Sequence, residues 1–335
     1  MAALQNTQCI VRGRYAPSPT GLIHLGNART ALVAWLSVRR QGGAFIYRLE
    51  DLDPPRIQPG ADEAAVEDLR WLGIDWDEGP DIGGPAKPYI QSQRYDRYEE
   101  ALRTLAERSR IFPCSLSRRD LHNVASAPHH NDAAVAYPPE LRPTHLPADW
   151  FADFVAGKSN DAALRFLVRP ETTCFHDRVY GEQCISVAET SGDFVVKRKD
   201  GLYAYQLAVV VDDLAMGITE IVRGRDLLGS TARQVQLIEA LGSRAPSYAH
   251  LPLLVNEGGE KLSKRDASLT LRALRSEGAE PNQVAGYLAY TLGILDFPEP
   301  TPAAALIDRF DWKRLSTEDY TVPRDVVDII RYQAL

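Results

Sequence analysis

Two segments, 240 residues apart from His24 to Lys264, hold the side chains best suited to chemistry. The first runs Arg14-Tyr15-Ala16-Pro17-Ser18-Pro19-Thr20-Gly21-Leu22-Ile23-His24-Leu25-Gly26-Asn27. Its prolines stiffen a loop, and His24-Leu25-Gly26-Asn27 opens a stretch of helical period. The first turn of a helix presents free N–H groups and the positive end of the dipole, which is where phosphate binds. Gly26 lets a nucleotide lie against the backbone, and His24 can donate to a phosphate oxygen. A plain helix cap is the competing reading of His24. The second segment is Lys261-Leu262-Ser263-Lys264-Arg265, preceded by Gly258-Gly259-Glu260. Lysine is a mobile point charge suited to a migrating phosphate charge. Alone this is an ordinary basic turn; the two segments together point to a nucleotide.

The elements that must position these groups are legible in the pattern. Residues 9–15 read as a strand. Ala28, Ala31, Leu32, Trp35 and Val38 then mark one face of a helix that begins near Asn27 and ends at Gly42-Gly43, and Phe45–Leu49 reads as the next strand. Strand, helix, strand is a βαβ unit and implies a parallel sheet. Helices are expected at Ala64–Leu72 and Ser92–Arg108. Periodicity weakens from Ile111 to about Thr190, where Pro138, Pro139, Pro143 and Pro147 cluster, and this stretch reads as an inserted subdomain. Pattern resumes at Phe194–Lys197 and Leu202–Val211. Ile218–Val222 reads as a strand, Thr231–Leu241 as a helix capped by Ser230, and Leu251–Val255 as a buried strand before the basic loop. Residues 269–335 look mostly helical.

The 335 residues, 44% hydrophobic and 25% charged, describe one large or two modest globular domains and exclude collagen-like, disordered and disulfide-scaffold classes. No apolar run reaches membrane-spanning length, and the first residues lack a signal-peptide pattern, so a cytoplasmic protein is expected. Cys9, Cys114, Cys174 and Cys184 follow no framework spacing and read as reduced thiols. The net charge is −7, yet residues 1–60 hold seven arginines against Glu50, Asp51 and Asp53. A locally basic region suits a phosphate-bearing ligand, although a solvated arginine face gives the same count.

The two segments resemble the "HIGH" and "KMSKS" signatures of class I aminoacyl-tRNA synthetases. Arg48-Leu49-Glu50-Asp51-Leu52-Asp53-Pro54-Pro55-Arg56, the run Asp200–Asp213 and Glu220-Ile221-Val222-Arg223-Gly224-Arg225-Asp226-Leu227-Leu228 are similar to segments of the glutamate branch, and most similar to its truncated glutamyl-Q tRNA(Asp) synthetases. The resemblance covers roughly residues 9–108 and 191–265. It implies an α/β fold: a Rossmann-type doubly wound parallel sheet in two halves (1–110 and 191–265), an inserted subdomain (111–190) and a short helical C-terminal part (266–335) without an anticodon-binding domain. It implies ATP-dependent activation of L-glutamate to glutamyl-adenylate, then transfer of glutamate to queuosine at the wobble position of tRNA(Asp). By motif matching, Arg14, Ser18, Glu50, Tyr205 and Arg223 should hold glutamate, His24, Asn27 and Lys264 should serve ATP, and His24, Lys261 and Lys264 should be catalytic. The chemistry is consistent. A carboxylate is best read bidentately by arginine, for which Arg14 and Arg223 are candidates, and Glu50 or Tyr205 can accept from an ammonium. The substrate carboxylate is itself the nucleophile, so positioning and charge stabilisation carry the rate. Glu50-Asp51-x-Asp53 could form a metal cluster, but amine binding by Glu50, with Asp51 and Asp53 bracing loops, is the favoured reading.

Mg2+ is expected with ATP; zinc is not. The family's zinc pattern, Cys-x-Cys followed by Tyr-x-x-x-Cys, here falls on Cys114-Ser115-Leu116 and Tyr137-Pro138-Pro139-Glu140-Leu141. Leucine cannot ligate, and structural zinc needs four donors. His122, His129, His130 and His145 match no zinc spacing and read as surface residues. The partners expected are glutamate, ATP and the queuosine-bearing anticodon loop, met by a monomer with no membrane, with Arg29, Arg39, Arg40 and Arg56 as the positive charge available to RNA. Two other readings share much of this pattern: a glutamyl-tRNA synthetase charging the 3′ end of tRNA(Glu), and a non-catalytic synthetase-derived binding protein. The 70 residues after Arg265 favour the queuosine reading over the former, and the retained lysines and pocket residues speak against the latter.

Overall fold

Strand β1 (Arg12–Tyr15), helix α1 (Leu25–Arg40) and strand β2 (Ala44–Tyr47) form the expected βαβ unit, with β1 and β2 parallel from Arg12↔Ala44 to Tyr15↔Tyr47. The computed structural model describes residues 10–116, 120, 136–158, 161–262 and 269–332. The main sheet adds β5 (Thr173–Asp177), β6 (Gly181–Ile185), β8 (Glu220–Gly224) and β9 (Ser247–Leu251) in the order β2-β1-β8-β9-β5-β6. Neighbours are parallel except in the β5–β6 hairpin. From β1 the chain crosses through α1 to β2 on one side, and from β8 through the Leu228–Ala240 helix to β9 on the other. β1 and β8 are therefore the switch point of a doubly wound sheet, and the crevice beyond their carboxyl ends is where such folds bind ligands.

Helix α1 is buried on more than the face its periodicity marks. Ala28, Ala31, Leu32, Trp35 and Val38 are buried, and so are Leu25, Val33 and Leu36. The same core contains Val284, Ala285 and Leu288 of the Pro281–Tyr290 helix, together with Leu306 and Ile330. A helix sandwiched between a sheet and other helices loses the polar stripe that marks a surface helix. The helix predicted from Thr231 begins at Leu228, directly out of the short Arg225–Leu227 turn. Ser230 is therefore inside it, not its cap, and its hydroxyl accepts from Gln206 and Arg233. Beyond residue 268, the described tail has helices Leu271–Ser276, Pro281–Tyr290 and Val326–Arg331 joined by irregular segments and short 3-10 turns.

The excursion after residue 110 divides between two sheets. Strands β3 (Ile111–Cys114), β4 (Ala163–Phe166) and β7 (Phe194–Lys197) form a separate antiparallel sheet in the order β3-β4-β7. The β5–β6 hairpin, within the stretch expected to be the insertion, instead extends the main sheet, and β7, expected in the second catalytic half, closes the small one. Local periodicity reports that strands exist, not which distant strand each one meets. The hairpin also corrects the reading of four reduced cysteines. Cys174 and Cys184 face each other in its register and form a disulfide, with Cα atoms 4.1 Å apart. A search for framework spacings misses a bridge set by cross-strand pairing. Cys114 is free and buried, and Cys9 lies outside the described residues. Among the described residues, no helix is long and apolar enough to cross a membrane.

Candidate active site

At the switch point a cleft of about 490 Å³ opens, lined by Arg14, Ser18, His24, Asn27, Glu50, Tyr205, Arg223 and Lys261. Every glutamate- and ATP-binding residue expected from the sequence is on its wall except Lys264, which lies outside the described residues with Ser263 and Arg265. The basic loop is nonetheless anchored on both sides. Leu262 N–H donates to Leu254 O, and beyond the loop Thr270 bridges to His24 while Leu271 N–H donates to Ile23 O. Lys261 Nζ is held 2.6 Å from Asp226.

His24 is both cap and candidate ligand. It is the N-cap of α1, and its Nδ1 accepts from Gly26 N–H at 3.1 Å. That bond places the proton of the neutral ring on Nε2, the donor that phosphate binding needs. A Cβ on Gly26 would approach the His24 ring to 3.1 Å, so this glycine keeps room for the ring as well as for a nucleotide.

Beneath the cleft, the acidic and basic side chains form a balanced cluster. Asp213 accepts from Arg14 Nε at 3.1 Å and Arg48 NH1 at 2.7 Å, and Glu50 accepts from Arg48 NH2 at 2.9 Å. Asp212, the preceding residue, takes Arg94 Nε, Gln91 Nε2 and Tyr98 OH. Three guanidinium groups thus meet three carboxylates, nearly all out of contact with water. Burial alone would raise the Asp213 carboxyl, but Arg14 and Arg48 hold it below the usual range. Burial dominates at Glu50 and raises it despite Arg48. Burial likewise raises the Tyr205 hydroxyl, which stays neutral.

Arg223 stands apart. It is 4% exposed at the carboxyl end of β8, and no carboxylate pairs with it among the described residues. Its Nε donates to His250 Nε2 at 3.0 Å, NH1 to Gln234 Oε1 at 2.7 Å and NH2 to Thr231 Oγ1 at 2.7 Å. All three partners are uncharged in this network. Of the five guanidinium N–H groups, two remain for a ligand. A buried cation with neutral partners favours an incoming anion over water. Arg14, by contrast, is already neutralised by Asp213, so the two arginines that look alike in the sequence differ as candidates for reading a carboxylate.

Other expectations are refined. Asp51 accepts from the backbone and hydroxyl of Ser92 and so braces a loop. Asp53 lies 3.7 Å from Arg56. The arginines counted as available to RNA are mostly engaged. Arg29 is buried and donates to Pro252 O and Thr291 Oγ1, Arg39 is clamped by Asp75 and Asp77, and Arg40 binds the carbonyls of Ile307 and Asp308. Arg56, 68% exposed on the rim of the cleft and held only by its loose surface pair with Asp53, is the most accessible of the four. Charge counts read along the chain cannot see this pairing. The sequence reading also gave no role to Asp212, Asp213, His250 or Gln234. Two carboxylates closing the run Leu207–Val211 were the available signal, since charge at the end of an all-apolar helix face requires buried partners.

The residues at the family's zinc positions do not fit zinc. Cys114 Sγ lies 3.7 Å from Tyr137 OH, and that hydroxyl donates to Leu141 O. Leu116, Leu141, Leu146 and Leu167 pack around Cys114, Tyr137 and Phe112. One thiol and one committed phenol in an apolar nest cannot supply four N/S donors. His145 is exposed, and His122, His129 and His130 lie outside the described residues. Purified protein dialysed against a mild chelator is expected to contain far less than one zinc per chain by elemental analysis, and paired Leu116→Cys and Leu141→Cys changes should create at best a weak site, because the surrounding hydrogen bonds are not built for it. One zinc per chain in the unaltered protein would refute this and redirect attention to the histidines.

Comparison with known proteins agrees with this fold. Residues 10–302 match the family "tRNA synthetases class I (E and Q), catalytic domain". The chain is similar to a glutamyl-Q tRNA(Asp) synthetase of Symbiobacterium thermophilum, with 47% identity over 94% of this chain and 97% of that one. It is also similar to one of Nitratidesulfovibrio vulgaris, with 42% identity over 96% of this chain and 98% of that one. Among solved structures it resembles a glutamate tRNA ligase of Elizabethkingia meningosepticum, in complex with its amino acid, with a TM-score of 0.84 and 30% identity, covering 96% of this chain and 69% of that one. With the family model matched over most of the chain and these relatives aligned over nearly their full length, the chain belongs to the class I tRNA synthetases of the E and Q group, in the glutamyl-Q tRNA(Asp) synthetase branch.

Proposed function

We propose that this enzyme activates L-glutamate with ATP and esterifies it onto queuosine at the wobble position of tRNA(Asp). The observation that carries the glutamate half is Arg223, a buried guanidinium with neutral partners and two N–H groups left over, on the wall of a cleft entered by the start of α1. Arg223 grips the side-chain carboxylate of glutamate. Glu50 and Tyr205, on the same wall, accept from its ammonium, and Ser18 and Arg14 complete the pocket. The α-carboxylate oxygen then attacks the α-phosphorus of ATP, the bond to the bridging oxygen breaks, and pyrophosphate leaves. No protein base is needed, because the nucleophile is already an anion. His24 Nε2–H, Asn27 and the first-turn amides of α1 bind the phosphates, and Lys261 and Lys264 follow the migrating charge, with Mg2+ accompanying ATP. In the second step a queuosine hydroxyl attacks the adenylate carbonyl and AMP departs. The close relatives' names support queuosine as the acceptor.

If glutamate goes onto a wobble base, the anticodon loop must enter the cleft mouth itself. An isolated anticodon stem-loop bearing queuosine is therefore expected to be nearly as good a substrate as whole tRNA(Asp), read by acid-gel shift with radiolabelled glutamate. With Arg29, Arg39 and Arg40 engaged, few of the arginines counted in residues 1–60 remain for phosphate, and the log–log salt slope of binding should be shallow, on the order of −2 to −4. An inert stem-loop combined with charging of unmodified tRNA(Glu) at its 3′ end would replace this reading with that of an ordinary glutamyl-tRNA synthetase.

A further inference from the structure

The partner of Arg223 is itself held in one protonation state. His250 on β9 is fully buried. Two donors converge on its Nε2: Arg223 Nε–H at 3.0 Å, and the hydroxyl of Thr231 at 3.2 Å, whose oxygen already accepts from Arg223 NH2. Nε2 must therefore be the bare acceptor, and the ring proton must sit on Nδ1. Nδ1 faces Asp177 Oδ2 at 2.6 Å. Asp177, also fully buried, is fixed at the end of β5: its Oδ1 accepts from the amides of Val179 and Tyr180, both at 3.0 Å, and its Oδ2 also accepts from His250 N–H at 3.1 Å. Neither residue lines the cleft.

We propose that Asp177 and His250 form a positioning relay: the carboxylate fixes the Nδ1–H tautomer of a neutral His250, whose Nε2 then holds the Arg223 guanidinium in the orientation that receives the substrate's side-chain carboxylate. The inference rests on the reading of Arg223 as the glutamate-binding arginine. The groups facing the imidazole agree with it. Arg223 from β8 repels a protonated ring, Thr231 contributes a hydroxyl, Asp226 lies farther off, and burial, the largest influence, lowers the imidazole pKa despite Asp177. The relay also explains why a fully buried carboxylate and a fully buried histidine persist next to a site neither touches: a protonated Nε2 would point a donor at the Arg223 N–H and push the guanidinium out of place.

Asp177→Asn separates positioning from bulk. The Val179 and Tyr180 amides require an oxygen at the Oδ1 position, so the new NH₂ occupies the Oδ2 position and faces Nδ1. The ring must then accept there and carry its proton on Nε2, against Arg223. In glutamate-dependent ATP–pyrophosphate exchange, Asp177→Asn is expected to raise the KM for glutamate roughly tenfold or more, the scale of one charge-assisted hydrogen bond, with the KM for ATP within about twofold of the parent. His250→Gln, whose side-chain carbonyl can still accept from Arg223, should retain more glutamate affinity than His250→Leu. If Asp177→Asn does not fold, the Gln-over-Leu ranking decides. An unchanged glutamate KM in a folded Asp177→Asn protein, equal losses for both substrates, or equal behaviour of the two His250 variants each overturns the relay. Arg223→Ala in the same assay separates the two ideas. If it leaves the glutamate KM unchanged, the reading of Arg223 fails; if it raises that KM while the relay variants do not, only the relay fails.

Discussion

Asp212→Ala is expected to destabilise the fold by about 3–5 kcal/mol, the scale for removing one partner of a buried ion pair. Asp212 is fully buried and satisfies Arg94, Gln91 and Tyr98 at once, while Arg48 Nε lies 4.0 Å away. Alanine would leave the Arg94 guanidinium with only the carbonyls of Ala86 and Pro88, the Gln91 amide without its acceptor, and Tyr98 with only the longer bond to Gln91 O. The cost is that of the stranded cation, not the net worth of the pair. Urea denaturation followed by circular dichroism measures it. A loss below about 1 kcal/mol would mean that water enters and resolvates the cluster. Because the same helix carries Tyr205 at its first turn, the damage should reach the cleft, and glutamate-dependent exchange should fall along with stability.

Arg223→Ala should show the opposite profile, with a large loss of substrate affinity and a small loss of stability. Its partners are neutral, so deletion strands no buried charge, and the cost is confined to the neutral acceptors of His250, Gln234 and Thr231 that it leaves unmet. What disappears is a charge-assisted contact to the substrate carboxylate, worth ~1.5–3 kcal/mol, or about 10- to 150-fold in the KM for glutamate. The KM for ATP should move little. Arg14→Ala makes an instructive comparison. It removes one of the two guanidinium partners of buried Asp213 and leaves it to Arg48 alone, so it should cost stability as well and affect both substrates more evenly. Steady-state exchange kinetics with each substrate varied in turn test both variants. Equal effects on the two KM values in Arg223→Ala would mark that arginine as structural.

How far the sequence carries the argument differs between the fold and the site. The βαβ start, the phosphate-type helix entry and the strand read at Ile218–Val222, found at Glu220–Gly224, follow from alternation, period and breakers, because each is a local property. The placement of the β5–β6 hairpin on the main sheet, the Cys174–Cys184 bridge and the start of the Leu228–Ala240 helix do not. Each depends on partners that the local pattern leaves unspecified. In the site, the motifs brought Arg14, Ser18, His24, Asn27, Glu50, Tyr205, Arg223 and Lys261 to one cleft. They could not separate Arg14, neutralised by Asp213, from Arg223, which keeps its charge, because that difference lies in pairings across 199 and 27 residues. The Asp177–His250 contact spans 73 residues and leaves no local trace.

The sandwiching of α1 has a consequence for how the protein comes into being. The helix that opens the nucleotide site is made long before Val284, Leu288, Leu306 and Ile330, which cover its second face. At ribosomal speeds of about 5–20 residues per second, the interval is on the order of tens of seconds. Throughout it, a nascent chain carries a helix whose second apolar face is uncovered, and transiently exposed apolar surface of this kind is what chaperones bind. Thr270 and Leu271 dock beside His24 from far downstream, so this side of the nucleotide site cannot close until they too have been made.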